Sequence, residues 1–246
     1  MGSNRDKQEN NEKYPDQSAE DTTHASSFTL PLIAGKVTGL LQDLASAPNE
    51  IRLSPKLHQR GDEALQRTQQ SSDEYGFFLH FDATGQIRPG KVRGPSDQGK
   101  TAGTPTWITQ EEYLELKKHD RSIHGHLHTH PASAEYPDEA LVLSVGNIAL
   151  FLEAEDVVLI CRGPKGDWLI LLRTQITPLK RNRLGEEAVQ LYLDLARDKL
   201  WTHLMAGMEQ NQAYDLGFFE AMIEVCKKYN IVVYQGKSGT PPKKLT

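Results

Sequence analysis

Residues 123–131 read IHGHLHTHP and place four histidines at alternate positions: His124, His126, His128 and His130. Successive side chains of a β-strand point to opposite faces, so this spacing predicts a strand with all four imidazoles on one side. Two such histidines can converge on a metal ion through ring nitrogens at about 2 Å, and a hydrolytic zinc site then needs a third ligand and an open position. The stretch therefore favours a metal-binding strand face over a merely solvated one.

The segments ahead of this strand predict helices and strands in alternation. Residues 55–69 have the apolar spacing of a helix, and residues 74–82 (EYGFFLHFD) predict a strand with a hairpin partner from residue 86 onward. Thr109 stands three residues before Glu112, which is the spacing of a capping box and predicts a short helix.

The segments after the histidine strand continue this alternation. We expect a helix that begins near Pro137 and Asp138, followed by a β-hairpin around the turn PKGD in residues 157–174. Two amphipathic helices, about residues 184–208 and 214–228, then precede the strand IVVYQG. The chain is therefore predicted to have a mixed α/β fold.

Composition divides the chain into five parts. Residues 1–27 are polar and charge-mixed, so they are expected to form a disordered tail. Residues 28–54 carry aliphatic side chains at helical spacing and predict an N-terminal helix that ends before Pro48. The remaining parts are a main domain in residues 55–180, a C-terminal helical extension with a short strand in residues 181–236, and a polar tail in residues 237–246.

Composition also narrows the classes of function. The net charge of −5 and the scattered lysines and arginines predict no nucleic-acid partner. A mean hydropathy of −0.56, without a long apolar run or an apolar segment near the start, predicts no membrane span and no signal peptide. Cys161 and Cys226 lie far apart and suggest no disulfide framework, and Cys161 is expected to be an inert buried thiol. We therefore expect a soluble, cytoplasmic protein.

Residues 94–101 read GPSDQGKT and match the phosphate-binding pattern G-x-x-x-x-G-K-[ST]. That pattern works only between a buried strand and a helix whose first amides hold the phosphates. Here Pro89 and Gly90 interrupt the preceding residues, and AGTPT follows where a helix should begin. We therefore interpret this stretch as a polar surface loop.

Residues 125–131, GHLHTHP, resemble the G-x-x-H-[ST]-H-P strand of the JAMM metalloproteases, also called MPN or JAB domains. The resemblance covers about residues 55–177. It implies an MPN/JAMM-like mixed β-sheet flanked by helices, to which this chain adds C-terminal helices. It also implies that His128 and His130 bind Zn²⁺ and that a downstream Ser-x-x-Asp stretch supplies an oxyanion-stabilising serine and the third ligand. In the family, a glutamate on the first strand, a little ahead of a glycine, is the general base.

The sequence departs from that pattern after the histidines. Counted from Pro131, the family's serine position falls on Asp138 and its aspartate position falls on Leu141. Ser144 and Asn147 have the Ser-x-x-Asp spacing, but they lie further along the chain than the family's pair. The second residue is an asparagine, whose side-chain amide is a poor zinc ligand.

Two interpretations of Asp138 follow. In the first, Asp138 is the third ligand. Positions three apart share a helix face, so the Asp138 carboxylate could reach the point that an aspartate at position 141 would occupy and complete a metal site with His128 and His130. His126 would then be a spare or replacement ligand, and His124 would lie too far back along the strand. Alternatively, Asp138 is only the N-cap of its helix, and the metal site is incomplete.

The general base has two candidates. Counted back from Gly76, the family's position falls on Asp73, with Glu74 one residue nearer. Either carboxylate could take a proton from the attacking water. Two acids at the start of an exposed strand would also be unremarkable.

The resemblance implies a zinc-dependent peptidase or isopeptidase that acts on protein or peptide substrates such as the C-terminal tails of ubiquitin-like proteins. An extended tail would add main-chain hydrogen bonds at a sheet edge. The alternative is a catalytically inactive MPN-like scaffold or protein-binding module, and a third possibility is a protein that holds a metal without hydrolysis. The apolar stripe of the C-terminal helices must cover this domain or a second subunit, so a homo-oligomer is expected in the second case.

Overall fold

The computed structural model describes residues 40–82, 85–95, 106–132 and 143–246, together with the backbone of three two-residue strands before residue 40. These residues form five α-helices and a mixed sheet of seven strands, with two further small strand pairs. The helices are α1 (Pro55–Ser71), α2 (Gln110–His119), α3 (Val145–Glu153), α4 (Leu184–Met205) and α5 (Gln210–Lys228). The strands are β1 (Ser26–Ser27), β2 (Leu32–Ile33), β3 (Lys36–Val37), β4 (Ile51–Arg52), β5 (Gly76–Phe81), β6 (Ile87–Pro89), β7 (Gly125–Thr129), β8 (Val158–Arg162), β9 (Trp168–Arg173), β10 (Ile231–Gly236) and β11 (Lys243–Lys244).

The large sheet has the strand order β11-β10-β9-β8-β7-β5-β6. All neighbours are antiparallel except β7 and β8, which are parallel. Parallel neighbours require a crossover, and α3 lies in the connection between these two strands. The histidine strand β7 therefore lies inside the sheet, between β5 and β8.

Alternate residues of the strands enter two separate cores. Leu127, Ile160 and Trp168 pack with α1 on one face. Leu159 and Cys161 lie on the other face, which α3, α4 and α5 cover. Because side chains alternate along β7, His126 and His128 lie on the face opposite Leu127, the same face as Cys161.

The neighbours of the histidine strand approach it closely at two glycines. A β-carbon at Gly125 would lie 1.7 Å from the carbonyl oxygen of Val158 on β8. A β-carbon at Gly76 would lie 2.5 Å from the carbonyl oxygen of Leu127 and 2.4 Å from the indole of Trp107. Only glycine permits these approaches.

Most of the predicted elements are confirmed. The expected helix of residues 55–69 is α1, the expected hairpins are β5–β6 and β8–β9, and the expected final strand is β10. The predicted capping box begins α2: Thr109 accepts from the backbone of Glu112, whose carboxylate accepts from the backbone of Thr109.

The prediction of an N-terminal helix in residues 28–54 is wrong. Strands β2 and β3 form an antiparallel pair there, β4 follows, and Leu41 bridges to Thr174. Leu41 and Leu44 pack against the core on the α1 side. This segment contains Gly35, Gly39 and two prolines, which disfavour a helix, and Leu41 and Leu44 pack partly buried against the core instead.

The helix after the histidine strand begins later than predicted. Leu143 and Ser144 are not helical, and α3 starts at Val145 because Ser144 caps it. Asp138 and Leu141 lie outside the described residues, as do residues 96–101 of the GPSDQGKT stretch and residues 1–25 of the predicted tail.

The C-terminal helices and strand pack on the main sheet. Strand β10 pairs along the whole of β9, and α4 and α5 cover the same sheet face as α3. The predicted polar tail also contributes β11, and Lys244 donates to the carbonyl oxygens of Leu44 and Ala47. Among the described helices, none has both the length and the apolar composition that a membrane crossing requires.

Candidate metal centre

His128 and His130 meet at the end of β7. Their Nε2 atoms lie 3.2 Å apart. His130 follows the strand directly, and its backbone N–H donates to the carbonyl oxygen of Arg162 at the end of β8. Two nitrogens bound to one tetrahedral zinc ion at 2.0–2.1 Å lie about 3.3 Å apart. The two imidazoles are therefore placed as two ligands of one ion would be.

Cys161 lies beside this pair. The parallel register of β7 and β8 aligns Cys161 with His128, and both side chains occupy the same sheet face. One ligand atom from each of His128, His130 and Cys161 lies within 4.8 Å of the others. Together these residues could hold a metal ion.

Burial keeps all three groups uncharged in the metal-free protein. It lowers the pKa of His128 well below its usual value, with smaller contributions from His130 and His126, and it lowers the pKa of His130 to about 4. Both rings are therefore neutral at pH 7, with lone pairs available to a metal. Burial, together with the charge of Glu74, raises the pKa of the Cys161 thiol well above its usual value. A buried thiol of this kind is a poor nucleophile, as expected from the sequence.

One ring nitrogen at the centre lacks a partner among the described residues. His128 Nδ1 is buried without a hydrogen bond. Buried polar atoms are nearly always satisfied, and the exceptions occur at functional sites. His126 Nδ1, Trp168 Nε1 and two nitrogens of Arg162 are unsatisfied in the same way, so the convergence of the two Nε2 atoms, and not this nitrogen, identifies the candidate site.

His126 is not part of the cluster. Its Nδ1 lies 3.5 Å from a carboxylate oxygen of Asp156, which is too far for a good hydrogen bond. Asp156 is fully buried and accepts from Tyr113 Oη at 2.9 Å and from Lys117 Nζ at 2.6 Å. Burial by itself raises the pKa of Asp156, but Lys117 and His126 hold it below its usual value. His126 thus belongs to a buried ionic network next to the cluster.

His124 lies in a different cleft, which it lines with Lys117, Lys118 and Arg121. It is half-buried and packs against Phe81. His124 therefore lies in a different cleft from His128 and His130.

A cleft of about 450 Å³ opens over the cluster. The N-terminal end of α3 forms part of its wall. The described lining residues are Glu74, Thr106, Trp107, Ile108, Gln110, His126, His128, His130, Pro131, Ser144, Gly146, Asn147 and Leu150. The cleft combines apolar side chains with a few polar groups, as ligand-binding clefts commonly do.

A second and more apolar cavity, of about 310 Å³, lies on the opposite sheet face between α1, β4 and β6. It contains none of the four histidines. Its floor includes Ile160 and Leu172, which are almost fully buried. We interpret this cavity as a packing gap in the core on the α1 side.

The two candidate bases occupy different positions. Glu74 lines the cleft over the cluster, and its charge contributes to the raised pKa of Cys161. Asp73 is not among the described lining residues, and its backbone N–H donates to Ser71 Oγ at 3.2 Å. Counting residues pointed to Asp73, but the fold brings Glu74 to the site.

Ser144 and Asn147 form a helix cap on the wall of the cleft. Ser144 Oγ accepts from the backbone N–H of Asn147 at 3.2 Å and donates to its Oδ1 at 2.8 Å. The resemblance of this pair to Ser-x-x-Asp therefore reflects a capping box. Their position places the N-terminus of α3 in the wall of the cleft that His128 and His130 also line.

The sequence alone did not identify Cys161 as a possible metal ligand. Its local sequence VVLICRG looks like any buried strand, and only the pairing of β8 with β7 brings it to the histidines.

A scan against protein-family models finds no match, and a search of curated proteins finds no similar sequence.

Proposed function

We propose that this chain is a zinc-dependent peptidase of JAMM/MPN type, with His128 and His130 as metal ligands. The observation that carries the proposal is the 3.2 Å approach of their Nε2 atoms on the floor of a cleft. The motif G-x-x-H-T-H-P supports it, as does a mixed sheet with α1 on one face and α3 on the other.

The centre supports hydrolysis of an amide bond. When bound, zinc supplies Lewis acidity and makes water more acidic at neutral pH. Glu74 then accepts the proton from the attacking water and returns it to the leaving amine. Its position in the cleft, next to the cluster, favours Glu74 over Asp73 for this task.

The wall of the cleft stabilises developing negative charge. The N-terminus of α3, at Ser144 and Val145, carries partial positive charge from its backbone dipoles. The Ser144 hydroxyl caps this helix and donates its proton to Asn147 Oδ1, so the contribution comes from the backbone at the helix N-terminus. Preorganised backbone dipoles of this kind stabilise the oxyanion of amide hydrolysis.

The substrate of this proposal is an extended peptide, such as the C-terminal tail of a ubiquitin-like protein in the cytoplasm. Trp107, Ile108 and Leu150 give the cleft apolar surface along which such a tail can lie. Asp138, the third zinc ligand predicted from the sequence, lies outside the described residues.

The test uses the full chain with zinc and a ubiquitin-like fusion protein joined to a peptide. We expect cleavage that stops on chelation and returns with Zn²⁺. Glu74→Gln should lower the rate at least about 100-fold with the zinc content unchanged, because it removes the proton acceptor but no ligand. The matched control Asp73→Asn should retain activity. Full activity of Glu74→Gln, or a purified wild-type chain that binds no zinc, would refute the proposal.

A second candidate function is a protein-binding module that assembles through its C-terminal helices. It is favoured by exposed apolar side chains on α4 and α5, among them Trp201 and Met205, which are 60% and 82% exposed. Under this alternative the chain binds no zinc and forms a homo-oligomer or a complex. Light scattering of the purified chain, with and without Trp201→Ser, measures its mass: dissociation of an oligomer by the variant supports the module.

A further inference from the structure

Two buried cysteines allow a direct comparison. Cys161 and Cys226 are both fully buried, and both belong to the core that α3, α4 and α5 cover. Such burial is ordinary for a free thiol, which packs as a small apolar group. Among the described residues, however, only Cys161 lies in a group that could hold a metal. The two thiols therefore differ in their neighbours and not in their burial.

The position of Cys161 relative to the histidines is set by backbone pairing. His128 and Cys161 are register partners on parallel strands, and the neighbouring pair joins Thr129 to Arg162. The backbone of His130 is tied to Arg162 by a hydrogen bond of 2.9 Å. Both histidines are thus held against the end of β8 that carries the thiol, whatever the side-chain rotamers.

The distances allow a common ion. The three ligand atoms lie within 4.8 Å of one another. A tetrahedral zinc ion with nitrogen at 2.0–2.1 Å and sulfur at 2.3 Å separates these atoms by about 3.5 Å. Closing the remaining gap of up to about 1.3 Å needs a rotation of side chains, without movement of the strands.

We infer that Cys161 is the third protein ligand of the ion held by His128 and His130, which makes the centre a His₂Cys thiolate site. The inference rests on the proposed zinc site. The thiol loses its proton to solvent when the ion binds, so the ligand set carries one negative charge, as a His₂Asp set would. The Cys161 thiolate supplies this charge from strand β8. In the family pattern, the charge comes from the aspartate of the Ser-x-x-Asp stretch that follows the histidine strand.

A thiolate ligand affects which metal ion the centre prefers, and a set of three protein ligands affects how many coordination positions stay open. Soft sulfur ligands favour Zn²⁺ over Mg²⁺ or Mn²⁺. Three protein ligands leave a fourth position, as in catalytic zinc sites. The cleft over His128 and His130 is lined by Glu74, and it would give a substrate access to an ion held there.

The experiment replaces zinc by Co²⁺ in the full chain and records its absorption spectrum. A Co²⁺–thiolate bond produces an intense charge-transfer band in the near ultraviolet, which histidine and carboxylate ligands do not. We expect this band in the wild type. Cys161→Ser should abolish it and weaken Co²⁺ binding at least about tenfold, because one of three ligands is removed. Cys226→Ser is the matched control and should retain both the band and the affinity.

The outcomes separate this inference from the proposed function. If Co²⁺ binds to the wild type without the thiolate band, Cys161 is not a ligand, but the zinc site stands. If neither Co²⁺ nor Zn²⁺ binds to the wild type, both proposals fail. If Cys161→Ser does not fold, X-ray absorption of the wild-type zinc protein decides: one sulfur at about 2.3 Å supports the inference, and only nitrogen and oxygen neighbours overturn it.

Discussion

Cys161 is aligned with His128 in the register of the parallel strands β7 and β8. Because of this alignment, a thiol from a strand more than thirty residues further along the chain lies beside two converging imidazoles. The two histidines are local neighbours, whereas the thiol reaches them only through the crossover that contains α3.

Removing either converging imidazole should release the metal. We expect His128→Gln and His130→Gln each to lower bound zinc to a small fraction of one ion per chain, because two protein ligands cannot hold it tightly. The measurement is metal analysis after dialysis. His124→Gln is the control from the same strand, since its side chain lines a different cleft, and its zinc content should be unchanged. Equal zinc loss in all three variants would indicate general destabilisation of the strand.

Asp138 should be dispensable for zinc if Cys161 is the third ligand. We therefore expect Asp138→Ala to retain its zinc, whereas Cys161→Ala loses it. Competition with a chromophoric chelator gives the two affinities. The opposite result, with zinc lost from Asp138→Ala and kept by Cys161→Ala, would favour the carboxylate site predicted from the sequence.

Removing the charge of Asp156 should destabilise the fold. The carboxylate is fully buried and joins Lys117, Tyr113 and His126, so Asp156→Asn breaks a buried ionic network. We expect a loss of about 3–5 kcal/mol in the free energy of unfolding, measured with urea. Asp194→Asn, on the exposed surface of α4, should cost less than about 1 kcal/mol.

The same carboxylate should make stability depend on pH. The pKa of Asp156 in the folded protein lies below its value in the unfolded chain, about 3.9. The ionised group therefore stabilises the fold above that pH, and this contribution is lost as the pH falls below about 4 and through the folded-state pKa. Unfolding curves between pH 2.5 and 7 should show a shallower acid loss in Asp156→Asn than in the wild type. An unchanged slope would mean that other carboxyl groups cause the acid loss.

A methyl group at Gly125 should separate two strands. The added carbon would lie 1.7 Å from the Val158 carbonyl oxygen, so β7 and β8 must move apart at the beginning of the histidine strand. We expect Gly125→Ala to cost about 3 kcal/mol and to weaken zinc binding. Gly146→Ala is the control: the nearest atom to its added carbon is Ser144 Oγ at 3.7 Å, and alanine in a helix should be neutral or stabilising by up to about 1 kcal/mol. Thermal unfolding of both variants measures the difference.

The elements that could be predicted are those decided by neighbouring residues. Alternate histidines predicted β7, the Thr109–Glu112 spacing predicted the cap of α2, and the turn PKGD predicted the hairpin β8–β9. The cap of α2 and the hairpin β8–β9 depend on contacts within a few residues, whereas for β7 only the alternation of side chains is local and its pairing partners β5 and β8 lie far away in the chain. The prediction of an N-terminal helix failed because Leu41 and Leu44 pack, partly buried, against a distant part of the chain, which overrides their helical spacing.

The candidate site divides in the same way. The sequence by itself determined that His128 and His130 lie on one face of a strand and end next to each other, since the alternation of side chains is a property of the backbone. Only the tertiary structure decided that Glu74 rather than Asp73 reaches the cleft, that Asp156 lies beside His126, and that Cys161 completes the cluster. These relationships depend on which strands pair and on how helices cover the sheet. Strand pairing and helix packing are determined by the burial of apolar faces that lie far apart in the chain, so no local sequence pattern predicts them.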